Sequence, residues 1–444
     1  MHIAIIGNGI SGITAARFIR KLSDHRITVI SSESEYFYSR TALMYIYMGH
    51  MRQTDTQPYE PYFWEKNRID LVKARVDKID TDRNMLWLNT ETQVKYDKLI
   101  IATGSASNKF GWPGQDLNGV GGLYSLQDLE NIEKYSKNLE RAVIVGGGLI
   151  GIELAEMFHA RSIPVTFLVR EASFWNNVMP PEESAMINRE ILDNHIDLRL
   201  ETELKEIVND GENNACGVVT NTNEGIECGF VGLTAGVHPN IGFVKNSNIE
   251  TQRGIIVNEY LQTNIENVYA IGDCAQLENP SEGRRPIEAI WYTGKMMGET
   301  VAHTICGNAT KYKPRLWFNS AKFMNIEYQV YGTVLAQPAE NHASIYWEHE
   351  SGKKSIRIVY DNENGNVLGF NLMGIRYRHE VCEKWILSET HVEEVLRNLG
   401  LANFDPEFYK EYEEDVVRLY NQQTGENLAL RQKRGLNSVL RFLR

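Results

Sequence analysis

The chain carries the spacing G-x-G-x-x-G twice, each time between an apolar strand pattern and a helix pattern. The first copy reads HIAIIGNGISGITAARFIRK. Ile3 to Ile6 form an apolar, β-branched run suited to a buried parallel strand, Gly7, Gly9 and Gly12 follow, and Ile13 to Ile19 repeats at helical spacing. The second copy reads RAVIVGGGLIGIELAEMF, with Ala142 to Val145 as strand, Gly146, Gly148 and Gly151 as the glycines, and a helix after them. In this pattern the first glycine makes the tight turn, the second lets the backbone approach a pyrophosphate, and the third lets helix and strand pack closely. The helix N-terminus behind the loop then favours negative phosphate. A lone copy is weak, but strand, glycines and helix in that order are much stronger. Two copies predict doubly wound α/β domains with a dinucleotide at each. Ser11 and Ile150, inside the two loops, join the glycines as cofactor-binding candidates.

Each such unit is expected to end its second strand with an acid for a ribose hydroxyl. After ITVI comes Ser31, and the acid is Glu33; after VTFL come Val169 and Arg170, and the acid is Glu171. Both carboxylates come later than the usual spacing. Arg170 suits a 2′-phosphate, so NADH and NADPH both stay open. Two dinucleotide sites in one chain are most simply the two ends of a redox relay.

Other features bound the setting. A chain of 444 residues is enough for two or three domains. A net charge of -12 argues against a nucleic-acid partner. The five cysteines, Cys216, Cys228, Cys274, Cys306 and Cys382, form no C-x-x-C pair and no metal-type cluster. That predicts a reducing compartment, no disulfide framework and no bound metal. No stretch is apolar for long enough to span a membrane, and the first residues enter a strand directly, leaving no room for a signal peptide. The expected location is cytoplasmic.

Further motifs give the sequence a family resemblance. YDKLIIATGS, Tyr96 to Ser105, has the form of a strand and turn; GLTAGVHPN, Gly232 to Asn240, that of a glycine-proline crossover; and NVYAIGDCAQ, Asn267 to Gln276, that of a strand stopped by Gly272. With the two glycine units, these resemble, in kind and order, the FAD-dependent pyridine nucleotide-disulfide oxidoreductase family. The likeness covers about residues 1 to 312 and runs more weakly to the end. It implies FAD at the first unit and NADH or NADPH at the second. It also implies an FAD-binding domain of residues 1–112 and 245–312, an inserted NAD(P)H-binding domain of residues 113–244, and a C-terminal α+β interface domain of residues 313–444. NSAKFMNIEYQVYG resembles the start of the domain that makes homodimers in the NADH oxidase and coenzyme A-disulfide reductase branch. By the same resemblance Val76, Ala102, Thr103 and Gly104 line the FAD site, and Gly236 belongs to the crossover. Asp273 binds the ribityl chain, and Ile290 and Trp291 meet the flavin at the start of a helix, although Trp291 reads equally as core packing. Read without the family, Asp273 projects from a strand's carboxyl end, where ligands bind in open α/β sheets, or else merely caps the next turn.

The segment FYSRTALMYIYMG places Arg40 where oxidase and peroxidase relatives carry a cysteine after Ser39. Ferredoxin and rubredoxin reductase relatives have an arginine there, followed by two prolines and later a lysine. Here Thr41 and Ala42 stand for the prolines and Tyr45 for the lysine, so the match ends at the arginine. A guanidinium near an FAD pyrophosphate suits phosphate, and a solvated surface arginine is the plainer alternative. Cys274, beside Asp273, reads as a small buried residue rather than a redox thiol.

Glu153 is the catalytic candidate. It either positions the nicotinamide or tunes proton supply, or it is simply a carboxylate near a helix N-terminus. The basic tail LALRQKRGLNSVLRFLR suits an acidic partner or an anionic membrane, and as well a terminal helix packed on its own domain. The sequence therefore predicts an FAD-dependent NAD(P)H oxidoreductase without a redox-active cysteine. Its expected acceptor is an electron-carrier protein of ferredoxin or rubredoxin type, with a quinone or a nitrite-reductase-type partner also open. The alternatives are an NADH oxidase or peroxidase, and a regulatory flavoprotein whose redox state controls binding to another protein.

Overall fold

The computed structural model describes residues 1–281, 283–404 and 410–431. They fall into two compact units. One comprises Met1–Gly146, Leu154–Thr166 and Glu203–Pro314; the other comprises Gly147–Glu153, Phe167–Thr202 and the described part of Arg315–Arg444.

In the first unit the run Ile3 to Ile6 forms the strand His2–Ile6, buried along nearly its whole length. It pairs in parallel with Arg26–Ser31 on one side and Lys98–Ile101 on the other. Ile69–Lys73 continues the sheet beyond the former and Val268–Ala270 beyond the latter, giving five parallel strands with His2–Ile6 in the middle. The order reverses between His2–Ile6 and Lys98–Ile101, which opens a crevice at their carboxyl ends. The helix Ile10–Leu22 follows the first strand, and Trp291–Ile305 packs directly on it. The approach is so close that a Cβ on Gly294 would collide with the Ser11 hydroxyl, and one on Gly298 with the Ser11 carbonyl.

The strand Ala142–Val145 pairs in parallel with Phe230–Leu233, which pairs in parallel with Val120–Gly121. The stretch Val237 to Gly242 is more ordered than its glycine and proline content suggests. Val237–Pro239 pairs antiparallel with Ser105–Ser107, satisfying backbone groups that a bare crossing would leave to water.

In the second unit the C-terminal part is an antiparallel sheet in the order Phe318–Phe323, Ile326–Gly332, Val367–Met373, Ser355–Asp361, His342–Glu348. Helices His379–Leu387, Val392–Arg397 and Glu413–Thr424 cover it through Cys382, Trp385, Val395 and Val416. Within this unit the helix Pro181–Asp193 is tied to the sheet by a buried ion pair, Glu183 Oε1 to Arg357 Nε at 2.7 Å. Arg431 meets Glu394 at 2.8 Å; the basic tail beyond it lies outside the described residues. Among the described residues no helix is long and apolar enough to cross a membrane.

Candidate cofactor site

Three strand ends converge at the crevice of the first unit. Gly7 follows the first strand at φ +109°, and a Cβ there would collide with the Ala102 carbonyl at the end of Lys98–Ile101. A Cβ on Gly12 would collide with the Gly7 carbonyl. The chain itself therefore demands glycine at both positions. Gly9 is different: a Cβ there meets nothing within 4 Å. The protein does not need a glycine there, and that fits a ligand backing onto the chain. In the second copy Gly146, at φ +115°, has the Thr234 and Ala235 backbone 2.8 Å from where its Cβ would lie, and Gly148 again has open space. Ile150 and Gly151 lie in the first turn of the helix Leu149–Ala160, and Glu153, half-buried, follows on it.

The third strand end carries Gly272, at φ +73°, and Asp273. A Cβ on Gly272 would collide with the Ser11 hydroxyl, so this turn lies directly against the first glycine loop. Asp273 Oδ2 accepts from Ser105 Oγ at 2.9 Å and, at 3.4 Å, from the Tyr124 hydroxyl. Burial raises the Asp273 pKa, against the Ser105 hydrogen bond and the nearby Arg40 charge. Thr103 Oγ1 donates to the Asn240 carbonyl at 2.8 Å. Gly104, at φ +65°, leaves room for Tyr124, whose hydroxyl lies 2.6 Å from where a Cβ would be. Val76 begins the strand Val76–Asp80 and is buried in the same apolar cluster as Ile6 and Ala102. The Gly236 carbonyl accepts from Asn108 N at 3.1 Å, beside the ribbon. Ile290 caps the helix Trp291–Ile305, with Trp291 as its first residue.

Arg40 is neither solvated nor free. Its guanidinium grips Glu33 through two hydrogen bonds, Nη1 to Oε1 at 3.0 Å and Nη2 to Oε2 at 2.6 Å. Nη1 also donates to the Tyr38 hydroxyl at 3.2 Å and to the Tyr124 carbonyl, and the guanidinium sits 4.5 Å over the Tyr124 ring. Glu33 Oε1 in turn accepts from the Tyr38 hydroxyl and from Leu126 N, at the start of the helix Leu126–Tyr135. Burial opposes the charge of both partners, yet their mutual hydrogen bonds win: the Glu33 pKa is lowered and that of Arg40 raised. Cys274 is fully buried, its thiol directed to the Ile101 and Ile271 carbonyls at 3.4 and 3.3 Å, and burial raises its pKa. In the second unit Arg170 pairs with Glu171 at 2.9 Å and is largely exposed. Among the described residues no cluster of His, Cys, Asp and Glu is suited to a metal ion.

Sequence reasoning passed over Tyr38, Ser105 and above all Tyr124. Tyr124 meets Arg40 from 84 positions away and Asp273 from 149, and no local pattern announces either contact.

The parallel sheets, the two glycine loops and the strand-end aspartate have the form of a dinucleotide-binding α/β protein. The chain belongs to the pyridine nucleotide-disulphide oxidoreductase family, whose profile matches residues 1–303. It is 26% identical over 371 residues to the assimilatory nitrate reductase electron transfer subunit of Bacillus subtilis, covering 83% of this chain and 47% of that protein. The chain thus spans about half the length of that relative. It is 29% identical over 327 residues to rhodocoxin reductase of Rhodococcus erythropolis, covering 73% and 76% of the two chains. Among solved structures, the NAD-dependent persulfide reductase of A. fulgidus superposes with a TM-score of 0.82 at 21% identity, over 96% of this chain and 84% of that one.

Proposed function

We propose that this protein takes a hydride equivalent from NADH or NADPH and hands electrons, through FAD and without a protein thiol, to a separate acceptor. When bound, the cofactor pair supplies hydride transfer from nicotinamide to flavin. The chain's own residues bind, orient and shield. Gly7, Gly9, Ser11 and Gly12 hold the FAD pyrophosphate at a helix N-terminus, with Ala102, Thr103, Gly104 and Val76 beside it. Asp273 orients the ribityl chain, and Ile290 and Trp291 bring the N-terminus of the helix Trp291–Ile305 toward the flavin. Gly146, Gly148, Ile150 and Gly151 would hold the nicotinamide nucleotide, and Glu153, Gly236, Arg170 and Glu171 are the further candidates for it.

The observation that carries the reading is the engagement of Arg40. The position that the family resemblance gives to a thiol in oxidase relatives is filled by a guanidinium bonded to Glu33 and Tyr124, and Cys274 is buried with a raised pKa. A reduced flavin with no thiol to pass electrons to suits an external one-electron carrier. The names of the nitrate reductase electron transfer subunit and of rhodocoxin reductase favour a protein as acceptor, and the arginine at position 40 favours one of ferredoxin or rubredoxin type. The protein is further proposed to be cytoplasmic, to have FAD-binding (1–112, 245–312), NAD(P)H-binding (113–244) and interface (313–444) domains, and to form a homodimer through the last. Steady-state turnover with purified ferredoxins and rubredoxins tests the acceptor. Carrier reduction well above the rate of oxygen consumption supports the reading. Oxygen consumption that outruns every carrier would make the protein an NADH oxidase.

A further inference from the structure

The hydroxyls of Ser105 and Tyr124 converge on one oxygen of Asp273, Oδ2, and neither reaches Oδ1. Tyr124 is fixed from several sides. Its hydroxyl accepts from Ser105 N at 2.8 Å, its backbone N–H donates to Asp128 at 2.9 Å, and Arg40 holds its carbonyl and ring face. Arg40 is itself fixed by the bidentate bond to Glu33. Burial first, and then the Asp273 charge, push the Tyr124 hydroxyl up to about 12, so it stays protonated and available as a donor. The conformation of Gly104 leaves the space this hydroxyl fills.

We propose that Tyr124 is a positioning residue for the cofactor site: with Ser105 it pins Oδ2 of Asp273, so that Oδ1 is presented to a hydroxyl of the flavin's polyol chain. The proposal rests on the assignment of FAD to this crevice. It gives the Glu33–Arg40 pair a role other than gripping ribose and phosphate: the pair holds Tyr124 in place. Three of the donors to Glu33 already converge on Oε1, which makes that oxygen a poor acceptor for a ribose hydroxyl.

The test is a double-mutant cycle on the FAD-loaded protein, with Tyr124→Phe, Ser105→Ala and the pair combined. FAD retention is read from the rise of free-flavin fluorescence on dilution. Tyr124→Phe keeps the ring on which Arg40 lies. It deletes the hydroxyl's bond to Asp273 and the one accepted from Ser105 N, and the loss of the first should weaken FAD binding roughly three- to tenfold. Each single variant leaves one donor on Oδ2, so the double variant should lose more than the product of the two. Side chains with only a structural role would give losses that multiply, and that result overturns the proposal, as does a Tyr124→Phe variant that holds FAD like the wild type. If the wild-type protein takes up no FAD at all, the assignment beneath the proposal fails instead.

Discussion

Removing the guanidinium of Arg40 tests the clasp directly. Arg40→Ala deletes both bonds to Glu33, the donor to the Tyr124 carbonyl and the cation lying over the Tyr124 ring. Breaking a fully buried pair costs about 3–5 kcal/mol, and an exposed one less than about 1 kcal/mol. Here the side chains are 29% and 18% exposed. The Tyr38 hydroxyl and Leu126 N–H also remain to support the stranded carboxylate. A loss of about 2 kcal/mol follows from that intermediate position. Urea unfolding of the FAD-loaded protein, followed by flavin release, should show it as a lower midpoint. In a Glu33→Gln background the same change should cost clearly less, because no buried charge is left behind. The sign with pH is fixed by the lowered Glu33 pKa. The clasp is worth most above the unfolded carboxyl's ordinary value of about 4.3 and is lost as pH falls through the folded value. The gap between wild type and Arg40→Ala should therefore narrow toward pH 3. An equal loss in both backgrounds, or a gap that widens in acid, would refute the clasp.

Two further changes probe the nicotinamide end. Gly148→Val should abolish flavin reduction by NAD(P)H while leaving FAD bound, because the open space at Gly148 is where a pyrophosphate would lie; stopped-flow reduction at the wild-type rate would place the nucleotide elsewhere. Arg170→Ala should raise KM for NADPH more than for NADH if its exposed guanidinium leaves Glu171 to meet a 2′-phosphate; equal shifts for the two nucleotides would remove it from selectivity.

How much of this was legible in the sequence depended on how local each cause is. The glycine loops were readable because turn, close approach and helix packing act within a few residues, and Gly7, Gly12 and Gly146 are glycines for just those steric reasons. The parallel pairing of the first two strands follows from the same strand-helix-strand alternation. The aspartate after Gly272 was readable as a strand-end residue, but not its two hydroxyl partners, since Ser105 stands 168 positions away. Arg40 was visible as a departure from the cysteine pattern. Its bond to Glu33 was not, because both had been read as ligands of the cofactor, and only the folded chain turns them toward each other and toward Tyr124. The ribbon Val237–Pro239 was hidden for a similar reason: its partner is the distant Ser105–Ser107.

Anaerobic titration of the purified protein with NADH and NADPH distinguishes a flavin relay that needs no thiol from one that uses a cysteine. With Arg40 clasped to Glu33 and Cys274 buried, the expected result is uptake of two electrons per FAD and no long-wavelength thiolate-to-flavin absorbance. Uptake of four electrons per FAD, or the appearance of that absorbance, would contradict it and reveal a redox-active cysteine.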